Sequence, residues 1–103
     1  MDEGIVLMTM ADLRKEFGWP LDAISAAVAM APRIQRHGYY YMRREDALTH
    51  MLDSSERRLE ENREIAAGRR RAGQGYSIFE RRVEIYERRC AQVRAAMEAD
   101  KVC

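Results

Sequence analysis

The chain has 103 residues, of which 47% are hydrophobic and 34% are charged, and its formal net charge is +1 at pH 7. This length allows one small domain with an appendage and excludes two large independent domains. No apolar run is long enough to span a bilayer, and the short run at 5–8 follows acidic rather than basic residues, so we expect a cytoplasmic protein without a membrane partner.

Charge is segregated along the chain. Residues 9–44 carry six basic and three acidic side chains, a net charge of +3, and residues 45–67 carry a net charge of −4. From Gly68 to the end the net charge is +4. Sixteen of the eighteen basic residues are arginine, which favours bidentate contacts to phosphate or carboxylate. The alternative explanation is a GC-rich genome, in which arginine codons are common, and it requires no contact by these residues.

The first predicted elements are a short strand at 5–8, which would pair with the hairpin further along the chain, and a helix. The alternative for 5–8 is an apolar arm without a fixed partner. Thr9 is a suitable N-cap, and Leu13 and Phe17 lie four residues apart, so both point to one face. Gly18 suits the left-handed position at the helix end.

A second short helix is predicted after the Gly-Trp-Pro turn. Pro20 suits its first turn, where a missing N–H costs nothing, and Ile24 and Val28 continue the apolar face. Ala27 is small enough for close helix approach, and we expect Trp19 to fill the space between the two helices.

A β-hairpin is predicted next, with His37 and Gly38 as its two-residue turn. Because side chains alternate along a strand, we expect two of the three tyrosines at 39–41 to pack inward.

This stretch of about forty residues resembles the winged helix-turn-helix superfamily, and within it the phage excisionases and mercury-resistance-type regulators. The residues that carry the resemblance are Leu13, Phe17, Gly18, Trp19, Ile24 and the segment Tyr-Met-Arg-Arg-Glu-Asp-Ala-Leu at 41–48. Arg14 departs from the pattern, because many of these proteins have a small residue there. The resemblance implies a mostly α fold with a winged helix-turn-helix domain at 1–47.

It also implies double-stranded DNA as the partner, with the second helix in the major groove and the hairpin, or wing, on the backbone or in the minor groove. Outward positions of the second helix are Pro20, Leu21, Asp22, Ser25, Ala26 and Ala29. Basic residues surround this helix: Arg14, Lys15, Arg33, Arg36, His37, Arg43 and Arg44. The outward face lacks Arg, Lys, Asn and Gln, so backbone anchoring and wing insertion are favoured over dense base readout. The predicted DNA-binding residues are Arg14, Lys15, Leu21, Asp22, Ser25, Ala26, Arg33, Arg36, His37, Arg43 and Arg44.

Residues 48–103 are predicted to form a helical oligomerisation region. One long helix runs from about Arg44 to Arg71 with a half-polar seam, and a Gly/Arg-rich break follows at 68–75. Ser77 and Glu80 have the spacing of a capping box for a last helix. The apolar seam of that helix is Phe79, Val83, Tyr86, Cys90, Val93 and Met97.

Such a seam either folds back on the preceding helix or meets its copy in another subunit. We expect a coiled-coil homo-oligomer, with a dimer favoured. The cluster at 69–71 is either a phosphate clamp or a solvated helix end.

Catalytic and metal-binding patterns are missing from the sequence, so we expect neither an enzyme nor a cofactor or metal site. No phosphate loop, HExxH or nucleophile triad occurs, and His37 and His50 lack a second ligand at a usual spacing. Cys90 and Cys103 lie far apart without a CxxC motif, which argues against a disulfide framework or a zinc site. We expect a buried or loose thiol at each.

Three functions remain open. The favoured one is a small DNA-binding transcriptional regulator or excisionase-like factor of a phage or mobile element. A second is a phage DNA-packaging protein like a small terminase subunit, or an architectural DNA-binding protein. A third is a protein–protein interaction module that does not bind DNA, which the poorly equipped second helix favours.

Overall fold

The computed structural model describes residues 5–102, which are mostly helical. Within this range the elements are β1 (Leu7–Met8), α1 (Met10–Phe17), α2 (Leu21–Ala27), β2 (Ile34–Arg36), β3 (Tyr39–Arg43), α3 (Arg44–Arg71) and α4 (Ser77–Val102). The chain divides into two compact units, Met1–Met51 and Leu52–Cys103. The division lies inside α3, four residues beyond the predicted boundary. The prediction for Cys103 lies outside the described residues.

Helix α1 begins and ends where its local sequence predicts. The Thr9 side chain accepts a hydrogen bond from the Asp12 N–H at 3.1 Å, and the Asp12 carboxylate accepts one from the Thr9 N–H at 2.9 Å. This reciprocal capping box satisfies two N–H groups that have no helical partner. At the other end Gly18 has φ 72°, and its N–H donates to the Arg14 carbonyl. Both ends are therefore fixed by short-range hydrogen bonds.

Replacing Thr9 by alanine should lower the free energy of unfolding of the N-terminal unit by about 1 kcal/mol, because the Asp12 N–H loses its side-chain acceptor. Hydrogen bonds from Thr9 hold the pKa of the Asp12 carboxyl below its ordinary value of 3.8. The cap's stabilisation is therefore present above that value and is lost as the pH falls through the lowered pKa. Urea unfolding at pH 7 checks the effect, with Thr9→Ser as the control. Equal midpoints for the two variants would contradict it.

The sheet of the N-terminal unit has the strand order β1-β3-β2, and both pairings are antiparallel. Residues 5–8 were predicted as a strand that pairs with the hairpin, and Leu7 and Met8 do so, opposite Arg43 and Met42. The strands β2 and β3 form the predicted hairpin.

Inward packing of the tyrosines is a wrong prediction. Tyr39 and Tyr40 are 67% and 63% exposed, Tyr41 is half-buried, and Met42 is the buried residue of β3. The reason is the length of β1, which pairs only with the last two residues of β3. Nearer the turn, the hairpin is only two strands wide.

Apolar residues from every element except β2 form the core of the N-terminal unit: Met8, Leu13, Phe17, Trp19, Ile24, Ala27, Val28, Ala31, Met42, Ala47, Leu48 and Met51. The predicted contact faces of α1 and α2 are thus buried. Trp19 is 5% exposed, and its ring centroid lies 6.0 Å from that of Phe17. Burial of one side of α2 in this core leaves the opposite side exposed to solvent.

In the C-terminal unit the break between the helices is narrower than predicted. Gly68 lies within α3, and the helix ends at Arg71. Gly73 has φ 71°, its N–H donates to the Arg70 carbonyl, and the Gln74 N–H donates to the Arg69 carbonyl at 2.8 Å. These two bonds define a Schellman motif, which ends α3. Gly68 takes no part in this motif.

The predicted capping box of α4 is wrong by one residue. The Tyr76 carbonyl accepts hydrogen bonds from the N–H groups of Phe79 and Glu80, so Tyr76 occupies the N-cap and Ser77 is the first helical residue. The Glu80 carboxylate pairs with Arg70 instead.

Three ion pairs join α3 to α4 in antiparallel register. They are Glu56–Arg94 at 3.1 Å, Arg63–Glu87 at 3.2 Å, and Arg70–Glu80. Each step of seven residues along α3 matches a step of seven residues back along α4, which is the heptad spacing of a coiled coil. Each pair is about half exposed and stabilises little by itself, but together they fit only one register.

Between these ion pairs lies the seam that the sequence predicts on each helix. On α3 it is Leu48, Leu52, Leu59 and Ala66 with the polar residues Ser55 and Asn62, and on α4 it is Phe79, Val83, Tyr86, Cys90, Val93 and Met97. Cys90 is 2% exposed and Val93 is fully buried within the single chain. Burial raises the pKa of the Cys90 thiol, which therefore stays protonated at neutral pH. Phe79, Val83, Tyr86 and Met97 are only half-buried in the single chain, and homo-oligomerisation stays a prediction.

Candidate nucleic-acid interface

The outer surface of α2 consists of small or short side chains. Leu21, Asp22, Ser25 and Ala26 are all exposed, as predicted, and Ala29 is exposed in the turn that follows the helix. Opposite them, Ile24 is fully buried. We call the four exposed helical residues the α2 surface. Its backbone can approach another molecule closely because no long side chain stands in the way.

Asp22 is the one charged member of the α2 surface. Its carboxylate accepts a hydrogen bond from the Ala23 N–H at 3.0 Å, in the first turn of the helix. A carboxylate is favourable there because it opposes the positive end of the helix dipole. This contact gives Asp22 a structural role at the start of α2.

The wing carries three exposed basic side chains. His37 has φ 52° and Gly38 has φ 81°, so both turn residues are left-handed, as in a type I′ turn. Arg36 pairs with Tyr39 across the turn, and Arg33 comes just before β2. Arg33, Arg36 and His37 are all exposed. Arg36 and His37 therefore lie at the turn, and Arg33 lies at the opposite end of β2.

Tyr39 and Tyr40 are further exposed residues of the wing, and the sequence-based prediction missed them. Adjacent residues of a strand point to opposite faces, so the two rings lie on opposite sides of β3. Both are more than 60% exposed. The signal that could have identified them is their position, since they follow the turn directly and lie beyond the reach of the short first strand.

Arg44 differs from the other predicted DNA-binding cations. Its guanidinium forms a bidentate ion pair with the Glu16 carboxylate, at 2.6 and 2.7 Å, and its side chain is only 16% exposed. Its backbone N–H donates to the Val6 carbonyl at 2.7 Å. These contacts make Arg44 a link between α1 and the start of α3, and its binding of DNA stays a prediction.

The remaining cations face solvent. Arg14 and Lys15 are exposed in the last turn of α1, and Arg43 is exposed on β3. Within residues 5–102, no ion pair holds any of the three. Two of the three acidic residues between 9 and 44 are occupied, because Asp12 caps α1 and Glu16 binds Arg44. The Glu16–Arg44 ion pair removes one charge of each sign, so the net charge of residues 9–44 stays +3.

This arrangement can bind an extended anion. Within the described range, no group of three or more His, Cys, Asp or Glu side chains is placed to hold a metal ion. Likewise, none of the helices described has the length and apolar character that crossing a bilayer requires. The chemistry present is guanidinium, ammonium, imidazole and phenol groups around a small helix surface.

Comparison with protein families, with curated proteins and with solved structures finds no match to this chain.

Proposed function

We propose that the N-terminal unit is a winged helix-turn-helix that binds double-stranded DNA, and that the protein is a small regulator or excisionase-like factor. The order β-α-α-β-β-α supports this, as does a three-stranded antiparallel sheet with the hairpin at its edge. In such a fold α2 enters the major groove and the wing lies on the backbone.

One observation carries the proposal: the α2 surface is solvent-exposed in the same unit as a wing with three exposed basic side chains. A recognition helix needs an unobstructed surface, and a wing needs cations to neutralise phosphates. The α2 surface lacks long polar side chains, so base contacts are limited to Ser25 and to apolar contact of Ala26 with a thymine methyl group. Affinity then comes mainly from backbone contacts.

Changing Arg33 and Arg36 together to alanine should weaken binding of a 20-bp duplex by about 10-fold at moderate salt. Loss of two phosphate contacts should also reduce the slope of log affinity against log salt by about 1.8. Fluorescence anisotropy measures both quantities. The control is Arg57→Ala with Arg88→Ala, which removes the same charge from two exposed positions of the C-terminal unit. A wing variant that binds like this control would remove the wing from the mechanism.

A protein partner is the second candidate, and the exposed apolar side chains of the N-terminal unit favour it. Leu21 is 47% exposed, Met30 is 85% exposed, and the two wing tyrosines are mostly exposed. Aromatic residues and methionine are enriched in protein interfaces. A folded chain that binds no duplex at low salt would make this candidate the better one.

A further inference from the structure

The end of the helical hairpin is a second cationic surface, separate from α2 and the wing. We call residues 68–82 the hairpin tip. They contain five arginines, one glutamate and no other charged residue, a net charge of +4. The five arginines, all exposed, are Arg69, Arg70, Arg71, Arg81 and Arg82. The rest of the C-terminal unit has no comparable concentration of one sign.

Aromatic rings hold three of these guanidinium groups in place. The Arg69 and Arg82 guanidinium carbons lie 4.8 and 5.4 Å from the centroid of the Phe79 ring. Arg70 lies 4.7 Å from the centroid of the Tyr76 ring. A guanidinium over a ring keeps its N–H edge available, and less side-chain entropy is lost when it then binds an oxyanion. The tip is therefore partly pre-organised.

The loop between the helices is fixed as well. The Schellman motif sets the backbone at Gly73, and Arg69 Nη1 donates to the Gly75 carbonyl at 3.2 Å. The single carboxylate of the tip, that of Glu80, is paired with Arg70. No acidic side chain within the tip is left to neutralise the other four arginines.

Helix electrostatics explain only part of this cluster. Cations at 69–71 are favourable because they lie at the negative end of the α3 dipole. Arg81 and Arg82 lie in the second turn of α4, nearer its positive end, where that dipole gives cations no advantage. The hairpin tip therefore carries more positive charge than stabilisation of the two helix dipoles explains.

We propose that the hairpin tip binds the phosphate backbone of duplex DNA, as a second contact of the DNA-binding protein proposed above. Five arginines without a lysine suit bidentate contacts to phosphate oxygens. An interface with a protein needs a desolvated apolar centre, and in the described tip Ile78 is the one large aliphatic side chain that is mostly exposed, at 55%. Phosphates are therefore the better-matched partner.

The test is Arg71→Ala with Arg81→Ala, two exposed arginines that make none of the ring or ion-pair contacts described above. Binding of the 20-bp duplex to the full chain should weaken about 5-fold, and the salt slope should fall by about 1.8. The control, Arg57→Ala with Arg88→Ala, should change the affinity less than about 2-fold. Matching circular dichroism spectra establish that both variants keep their helices.

Equal losses in the tip variant and the control would overturn the inference, because only net charge would then matter. Poly-L-glutamate serves as a probe for an acidic protein partner. If the tip variant loses binding of poly-L-glutamate but binds the duplex like the parent, the inference is overturned in favour of such a partner. The wing variant separates this inference from the proposed function. If only the wing variant loses affinity, the tip inference fails and the proposed function stands. If only the tip variant loses affinity, the tip binds DNA without a winged helix-turn-helix.

Discussion

Replacing Ala26 by glutamate should weaken duplex binding by on the order of 100-fold while the helices persist. Ala26 lies on the exposed α2 surface, so a longer side chain there costs no packing in the isolated protein. Inside the major groove, the same side chain would occupy space that a close helix needs. Its carboxylate would also meet phosphates of like charge, which costs several kcal/mol. Ser25→Glu should act in the same way.

The matched control is Ala11→Glu. Ala11 is exposed near the start of α1, where a carboxylate is favourable for the helix, and the change in charge is identical. We expect its duplex affinity to stay within about 3-fold of the parent, since only long-range repulsion is added. Anisotropy titrations of the two variants, with circular dichroism for folding, give the comparison. Equal affinities would favour the protein partner over DNA.

Replacing Val93 by aspartate should unfold the helical hairpin or destabilise it by about 4 kcal/mol or more. Val93 is fully buried in the seam, and its burial contributes on the order of 1.5–3 kcal/mol. An unpaired carboxylate at that place adds a further penalty of several kcal/mol. Urea unfolding followed by far-UV circular dichroism should show loss of helix at a much lower denaturant concentration than in the parent.

Val102→Asp provides the control, because Val102 is 83% exposed on the same helix. Its unfolding midpoint should match that of the parent within the error of the measurement. Light scattering on the parent at tens of micromolar tests the separate oligomer prediction. If Val93→Asp and Val102→Asp unfold together, the packing of Val93 within its own chain is contradicted.

Features set by neighbouring residues were predictable from the sequence. The cap at Thr9, the end of α1 at Gly18 and the turn at His37 and Gly38 each depend on a few adjacent backbone groups, and all three are observed. The outward positions of α2 were predictable as well, because a helix with buried Ile24 must expose the opposite side.

Features that depend on distant partners were not predictable. Exposure of Tyr39 and Tyr40 follows from where β1 stops, and nothing near the tyrosines encodes that length. Pairing of Arg44 with Glu16 joins residues 28 positions apart. The three heptad-spaced ion pairs appear only once the loop sets the register of α3 against α4. For the candidate interface, the exposed side of α2 was therefore predictable. The ion pairing of its cations and the exposure of its aromatic rings were not.

Duplex binding by the unmodified chain, measured by anisotropy between 50 and 200 mM salt, tests the proposed function most directly. We expect a dissociation constant below about 10 µM at the lowest salt, because non-specific binding is about 100 to 1 µM at physiological salt and tightens as salt falls. The plot of log affinity against log salt should have a slope of about −3 or steeper, since at least three cations neutralise phosphates. Absence of binding at 50 mM salt, or an affinity that does not change with salt, would contradict DNA binding through the wing and α2.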